Sequence, residues 1–446
     1  MADRVASVEQ ATVREPHSGF SGVDIPAYDD YAHCVHCGLC LNHCPTYKLW
    51  GLEADSPRGR IRQIILVDQC RLPLGDSFVK HIDQCLDCRA CETACPSGVE
   101  YGKLVEAARA QIDQHYERPF FSRLARNFVF RDLLPYPRRI EILARLLYLY
   151  QRTGLQWIAR ASGFLRLLGL ADREKLLPPI DKTFFYANLG RTFPAAGPQR
   201  ARVALFAGCV AQVSFSALHE ATIRVLTANG CEVIVPAGQT CCGALAAHAG
   251  VRDVARSLAR VNLDVFLGGD FDAVLTNAAG CGSTLKEYEH LFPAGTTEHD
   301  KAHEFRKKMR DVTEFLADFG LTAHLTALPI RVTYQDSCHL LHGQKVREAP
   351  RKLLRSIPGL ELVEMAMADY CCGSAGSYNV SETETSLALL AEKMKHARAT
   401  NAPVIVTANP GCLLQMRAGA EIHGTGQEVV HVMELLDRAL VKKRVT

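Results

Sequence analysis

Eighteen cysteines stand in this 446-residue chain, and 16 of them sort into four groups of four. The first group is Cys34, Cys37, Cys40 and Cys44, with Pro45 next; the second is Cys85, Cys88, Cys91 and Cys95, with Pro96 next. Both read C-x2-C-x2-C-x3-C-P, the spacing of bacterial two-cluster ferredoxins. Three thiolates two residues apart in a tight loop wrap one corner of a cubane, and the fourth, after a longer gap, reaches the other cluster. The spacing therefore assigns Cys34, Cys37, Cys40 and Cys95 to one [4Fe–4S] cluster, and Cys85, Cys88, Cys91 and Cys44 to a second. Paired zinc sites are the weaker alternative. Cys70 and Cys231 stand alone, and both are expected to be small buried hydrophobes.

The third group is Cys209, Cys241, Cys242 and Cys281; the fourth is Cys338, Cys371, Cys372 and Cys412. Their first, second and last members are offset by 129, 130 and 131 residues, which marks a duplicated unit of about 120 residues. Each half reads alike: a strand into the first Cys, a second strand before Cys-Cys-Gly, a helix, and a third strand that delivers the last Cys to a helix N-terminus. Such alternation predicts parallel strands joined by helices, with cysteines at one sheet edge. Adjacent cysteines serve one tetrahedral ion poorly but can reach different irons of one cluster. Gly243 and Gly373 would give the backbone the sharp turn this needs. Each half is thus a candidate cluster site, with zinc and an empty thiol-rich site left open.

The elements around the first two groups look helical. Ser56-Pro57 reads as an N-cap with Pro at the first helical position, ahead of Ile61, Ile64, Ile65 and Val67 at helical spacing. A second helix is expected over 99–112. From Arg118 to Arg166 come ten Arg, no Lys and two acidic residues, a local charge of +8 in a chain of net +3. Pro135 and Pro137 divide this stretch. Beyond them Arg138, Arg145 and Arg152 form a cationic face opposite Ile142, Leu143, Leu146, Leu147 and Tyr150, an amphipathic helix. Two readings stay open: a connector packed on its own domains with Arg facing water or acidic patches, or a docking surface for a partner subunit or an anionic membrane. Balanced overall charge and the lack of a binding motif argue against nucleic acid.

Composition excludes other classes. Hydrophobic residues make up 48% and charged residues 22%, ordinary for a globular protein. No apolar run reaches the roughly 18 residues of a transmembrane helix. The first 16 residues are polar, with no secretory signal, so a reducing cytoplasm is expected and cysteine reads as metal ligand rather than disulfide. The expected organisation is α+β and multidomain: an α-helical two-cluster ferredoxin domain over 1–115, a basic helical connector over 116–198, and two pseudo-symmetric α/β cysteine-rich halves over 199–325 and 326–446.

From about Tyr31 to about Arg438 the chain resembles the iron–sulfur subunits of glycolate oxidase (glycolate dehydrogenase). The resemblance rests on the doubled ferredoxin motif with LFAGCV, CCGALAAHAG, LTNAAGCG, QDSCHLLHGQ, CCGSAGSYN and TANPGCLLQM. Lactate-utilisation, anaerobic glycerol-3-phosphate dehydrogenase and heterodisulfide reductase subunits share the wider pattern. The heterodisulfide type ends in C-x-x-C, whereas Ala278 and Asn409 occupy those positions here, which counts against disulfide-reductase catalysis. His339 and His342 follow Cys338 and, if not simply structural, could tune a cluster or move protons. No G-x-G-x-x-G follows a strand and no P-loop is present, so a flavin would sit on another polypeptide. The resemblance implies FAD-binding dehydrogenase partners. The expected role is electron transfer through two [4Fe–4S] clusters, and through one or two more if the cysteine-rich halves are occupied, to a quinone or other acceptor, with the chain in the cytoplasm or on the inner face of the cell membrane. No catalytic residue is expected on this chain.

Overall fold

A computed structural model describes residues 18–441; the polar N-terminal stretch read for a secretory signal lies outside them. Short helices build the first module. Ser56 caps the helix Pro57–Asp68 by accepting from the Gly59 N–H at 3.0 Å, with Pro57 at its first position. Ile61, Ile64 and Val67 turn inward from it against Phe78 and Ile82 of the helix Asp76–Asp83, and against Leu104, Ala108 and Ile112 of the helix Tyr101–His115. Each such fully buried aliphatic side chain contributes about 1.5–3 kcal/mol. Cys70 departs from expectation: the helix ends at Asp68, so Cys70 falls in the following turn, exposed and at φ 55°. Cys231 is fully buried, as expected.

The connector runs through the helices Phe120–Asn127 and Pro137–Arg152, with a wide π-turn at Phe128–Leu133 between them. Its buried stripe is not the predicted one. Ile140, Ala144, Leu147 and Tyr148 pack on Ile180, Phe184 and Val213, whereas Ile142, Leu143 and Leu146 face outward. The surface formed by Ile180, Phe184 and Val213 meets the helix through the i, i+4, i+7, i+8 positions starting at Ile140 and leaves the other apolar face uncovered. Several arginines meet acidic patches of the chain itself: Arg118 pairs with Asp83, Arg126 with Asp113, and Arg131 with Asp253.

Two sheets follow. The first contains β1 Thr192–Phe193, β2 Ala201–Leu205, β3 Cys231–Ile234, β4 Ala273–Thr276 and β5 Met309–Asp311, in the order β1-β3-β2-β4-β5. The second contains β6 Arg331–Tyr334, β7 Glu361–Glu364, β8 Val404–Thr407 and β9 Glu428–His431, in the order β7-β6-β8-β9. Every pairing is parallel except β1 with β3. β4 and β8 are buried along their whole length, as strands covered on both faces must be. The two sheets share one apolar core that runs from Val203, Leu205 and Leu275 to Val332, Val404 and Val406. Arg224 fastens its outer seam to Asp437 through two 2.8 Å bonds.

Candidate metal centres

Cys34, Cys37 and Cys40 line one hollow together with Cys95 and Cys91, on a loop that reverses through His36 and Gly38, both at positive φ. A second hollow is lined by Cys44, Cys85, Cys88 and Cys91. The fourth cysteine of each motif therefore reaches across to the other motif's loop. The two sites differ in exposure. Cys37 is open to solvent and Cys34, Cys40 and Cys95 are half-buried, while Cys44, Cys85, Cys88 and Cys91 are buried.

Polar groups converge on the buried hollow. The Asp87 N–H donates to Cys85 Sγ at 3.3 Å, the Tyr101 hydroxyl lies 3.7 Å from the same sulfur, and Thr46 Oγ1 lies 3.2 Å from Cys44 Sγ. Arg60, fully enclosed, lines this hollow, donates to Thr46 and to the His81 carbonyl, and stands 3.5 Å from Asp55. Sequence reading missed Arg60. Its register with Ile61 and Ile64, on the inward side of the helix, was the available signal.

In the cysteine-rich halves the strands end where the thiols begin. Cys209 follows β2, Cys241 and Cys242 follow β3, and Cys281 sits in the first turn of the helix Ala279–Lys286 after β4. Their sulfurs form a chain of neighbours, Cys209 to Cys241 to Cys242 to Cys281. Cys338, Cys371, Cys372 and Cys412 form the equivalent chain in the second half. The tight approach uses Gly243 (φ 79°) and Gly373 (φ 87°), where a Cβ would press on Ala255 and on the Ser386 carbonyl.

This donor chemistry fits iron–sulfur clusters. Burial, then the charge of neighbouring thiols, raises the thiol pKa of Cys88 and of Cys91 well above the ordinary value. Packed thiolates repel one another unless a cationic core neutralises them. Main-chain donors already face the sulfurs: Gly243 N–H to Cys241, Ala244 N–H to Cys242 and Gly373 N–H to Cys371, each at 3.5 Å.

The second half meets the buried hollow directly. Tyr370, Cys371, Tyr378 and Leu389 pack with Leu86, Cys88 and Ala90. Tyr378 donates to the Gln84 carbonyl at 3.0 Å. A π-turn at His339–Gly343, just after Cys338, aims both histidines across the seam: His339 Nε2 lies 2.8 Å from the Asp87 carbonyl and His342 Nδ1 lies 2.9 Å from Thr93 Oγ1. Burial lowers the pKa of both rings, His339 to about 4.

The first half meets the same module through charge. Arg89 bonds Glu287 and lies 3.2 Å from Glu106. His248 Nδ1 lies 2.7 Å from Glu106 and 3.1 Å from Asp87, and Arg252 lies 3.2 Å from Asp24. Burial opposes charge on His248, but the hydrogen bonds and charges of Asp87 and Glu106 outweigh it and push its pKa up to about 9. Burial likewise opposes ionisation of Glu106, and His248 with the arginines holds its carboxyl well below the usual range. Asp87, Glu106 and His248 were not anticipated as a group, because the residues they join lie far apart in sequence.

Comparison with known proteins settles the family. Residues 30–99 match the family described as 4Fe-4S dicluster domain, and residues 203–286 and 332–417 match the cysteine-rich domain. Residues 121–177 match the family described as glycolate oxidase iron-sulfur subunit, linker region. The chain is 42% identical to the probable glycolate oxidase iron-sulfur subunit of Bacillus subtilis, over 91% of this chain and 93% of that one. The chain belongs to the glycolate oxidase iron–sulfur subunit family. It is 30% identical to the Escherichia coli glycolate oxidase iron-sulfur subunit, over 92% of this chain and 94% of that one. Lactate utilization protein A of Oceanobacillus iheyensis matches 53% of this chain and 96% of its own length at 32% identity. Membership in this family makes the chain an iron–sulfur oxidoreductase subunit with multiple [4Fe–4S] clusters. Among the described residues no helix is long and apolar enough to cross a membrane.

Proposed function

We propose that this chain is the electron-transfer subunit of a flavin-dependent 2-hydroxy-acid dehydrogenase complex of the glycolate type. Electrons would arrive from FAD on a partner subunit and leave to a quinone or another membrane acceptor. The observation that carries this reading is the convergence of 16 cysteines into four groups of four, with Cys44 and Cys95 each exchanged between the two ferredoxin loops. In this reading Cys34, Cys37, Cys40 and Cys95 hold one cluster, and Cys85, Cys88, Cys91 and Cys44 the next. Further clusters rest on Cys338, Cys371, Cys372 and Cys412 and on Cys209, Cys241, Cys242 and Cys281. The module limits are 1–115, 116–198, 199–325 and 326–446, and the two cysteine-rich halves form a pseudo-symmetric pair.

Clusters so held supply one-electron carriers, which a two-electron flavin needs in order to discharge in steps. The residues of the chain place the carriers, exclude water and set their charge. Exposed Cys37, flanked by exposed Val35 and Leu39, offers the partner subunit an approach. The buried second group, Tyr101 and Arg60 exclude solvent and donate toward sulfur or stabilise negative charge. The connector, with its outward arginines and exposed Leu146, Leu149, Trp157 and Leu167, suits an anionic membrane surface, as on the inner face of the cell membrane.

Iron and acid-labile sulfide per chain, with low-temperature EPR of the reduced protein, test this. About sixteen iron per chain supports all four sites, about twelve only three, and about eight confines clusters to the ferredoxin module. Cys37→Ser should remove one EPR signal with its iron; full retention of both would refute the first ligand set.

A further inference from the structure

Lys393 lies in the helix Thr383–Ala399 with none of its surface exposed. Its ammonium donates to the carbonyls of Met367 at 2.7 Å and Ala368 at 3.0 Å, on the loop that leads into Cys371 and Cys372. Among the described residues no carboxylate stands within ion-pair distance of it. Asp336, the natural candidate, is held by both terminal nitrogens of Arg351 at 2.7 and 2.8 Å. A buried ammonium without a counter-charge is expensive. Burial accordingly lowers the pKa of Lys393, and the charges that raise it again are first those of Cys372 and Cys371.

The first half provides the comparison. Gly243 packs on Ala255 of the helix Arg252–Leu267, and Gly373 packs on Ser386 of the helix Thr383–Ala399. Two helical turns beyond those contacts, at the same step, stand Asn262 and Lys393. Asn262 also secures the loop before its cysteines: its amide donates to the Cys241 carbonyl and accepts from the Thr240 N–H, both at 3.0 Å. One half therefore uses a neutral amide where the other uses a cation. A second difference has the same sign. Asn409 donates to Cys412 Sγ at 3.4 Å, whereas Ala278, its counterpart, has no side-chain donor.

We propose that Lys393 is the counter-cation of an iron–sulfur cluster on Cys338, Cys371, Cys372 and Cys412, and makes that site easier to reduce than a cluster on Cys209, Cys241, Cys242 and Cys281. This rests on the ligand assignment above. A cubane with four thiolates is a net anion and becomes more negative on accepting an electron, so a fixed neighbouring cation favours the reduced state. The electron on this site would come from the neighbouring cluster on Cys44, Cys85, Cys88 and Cys91.

The test uses the full chain, cluster-loaded under anaerobic conditions, as wild type, Lys393→Met, Lys393→Arg and Cys412→Ser. Iron per chain is measured, and EPR-monitored redox titration gives the potentials. Cys412→Ser identifies the signal of this site by its loss; if iron and every signal survive, the ligand assignment fails and the proposal with it. With that signal identified, Lys393→Met should keep the wild-type iron and move that signal alone to more negative potential. The expected change is at least tenfold in the one-electron equilibrium, about 59 mV. Lys393→Arg should stay near wild type. An unmoved potential in Lys393→Met would overturn the proposal and leave the ligand assignment standing. If Lys393→Met loses the iron of this site, Lys393→Arg decides: restored iron and potential support the counter-cation, and failure to restore them assigns Lys393 to packing.

Discussion

The two cysteine-rich halves share the order of four parallel strands and a cysteine plan, yet they hold the ferredoxin module by opposite means. The first half grips it through buried charge, with His248, Arg252 and Glu287 set against Asp87, Glu106, Arg89 and Asp24. The second half grips it through tyrosines, aliphatic groups and neutral histidines, and brings Cys371 close enough for its charge to act on Cys88. An ionic seam needs room for long side chains and their partners, so thiols on either side stay apart. An apolar seam lets the two thiol groups approach across a low-dielectric gap. The same fold thus serves as a clamp on one side and, in the proposed reading, as the next carrier on the other.

The largest effect should come from breaking the apolar side at its sulfurs. Cys371→Ser is expected to remove the iron of one cluster and to narrow the EPR line of the cluster on the buried ferredoxin cysteines, by abolishing a neighbouring spin across the apolar seam. Cys241→Ser should remove as much iron and leave that line unchanged. Equal line shapes in the two variants would erase the distinction between the halves.

The next effect separates the seams by pH. The pKa of His248 is raised to about 9, so the charged ring stabilises the fold fully below its ordinary pKa and progressively less as pH rises through about 9. The loss should be about 2–3 kcal/mol between roughly pH 6.5 and 9.5, as read from denaturant midpoints. His248→Gln should flatten the profile over that window. His339 and His342, whose pKa values burial lowers, act in the opposite sense and mostly below this window. On the apolar seam, Tyr378→Phe removes the hydrogen bond to the Gln84 carbonyl and should cost about 1 kcal/mol at every pH in this range.

Both seams hold what sequence reading did not reach. The cysteine groups were legible because ferredoxin ligands are local, and because the offsets near 130 residues expose the duplication. The strands before each Cys were legible from their β-rich runs. β5 and β9 were not, because each runs straight into the helix that follows it and no cysteine marks its end. Buried charge was harder still. Glu106 meets His248 across 142 residues, and Arg89 meets Glu287 across 198, so neither partner announces the other. Lys393 did leave a trace, since it shares a helical stripe with buried Leu389, Leu390, Met394 and Ala397. A lysine on an apolar stripe reads as a snorkelling side chain until its complete burial is seen.

The smallest effect on stability belongs to the connector, which lies against the first half beside Cys209. Its arginines divide by environment. Arg118, Arg126 and Arg131 are tied to the chain's own carboxylates, whereas Arg138, Arg145 and Arg152 stand on the exposed side of the helix Pro137–Arg152. Arg145 makes an exposed i,i+4 pair with Glu141 and lies 5.8 Å from the Phe184 ring, and Arg152 covers the Tyr148 ring. Changing Arg138, Arg145 and Arg152 together to Gln should therefore move stability by less than about 0.5 kcal/mol. At an anionic surface each basic residue is worth about 1 kcal/mol, so the same triple change should weaken binding to phosphatidylglycerol vesicles by roughly a hundredfold. Vesicle flotation at low salt measures this, with Arg118→Gln as the internal contrast: its charge is already spent on Asp83, so it should lose stability rather than lipid affinity. If the triple variant floats as well as wild type, the exposed connector face is not a membrane surface.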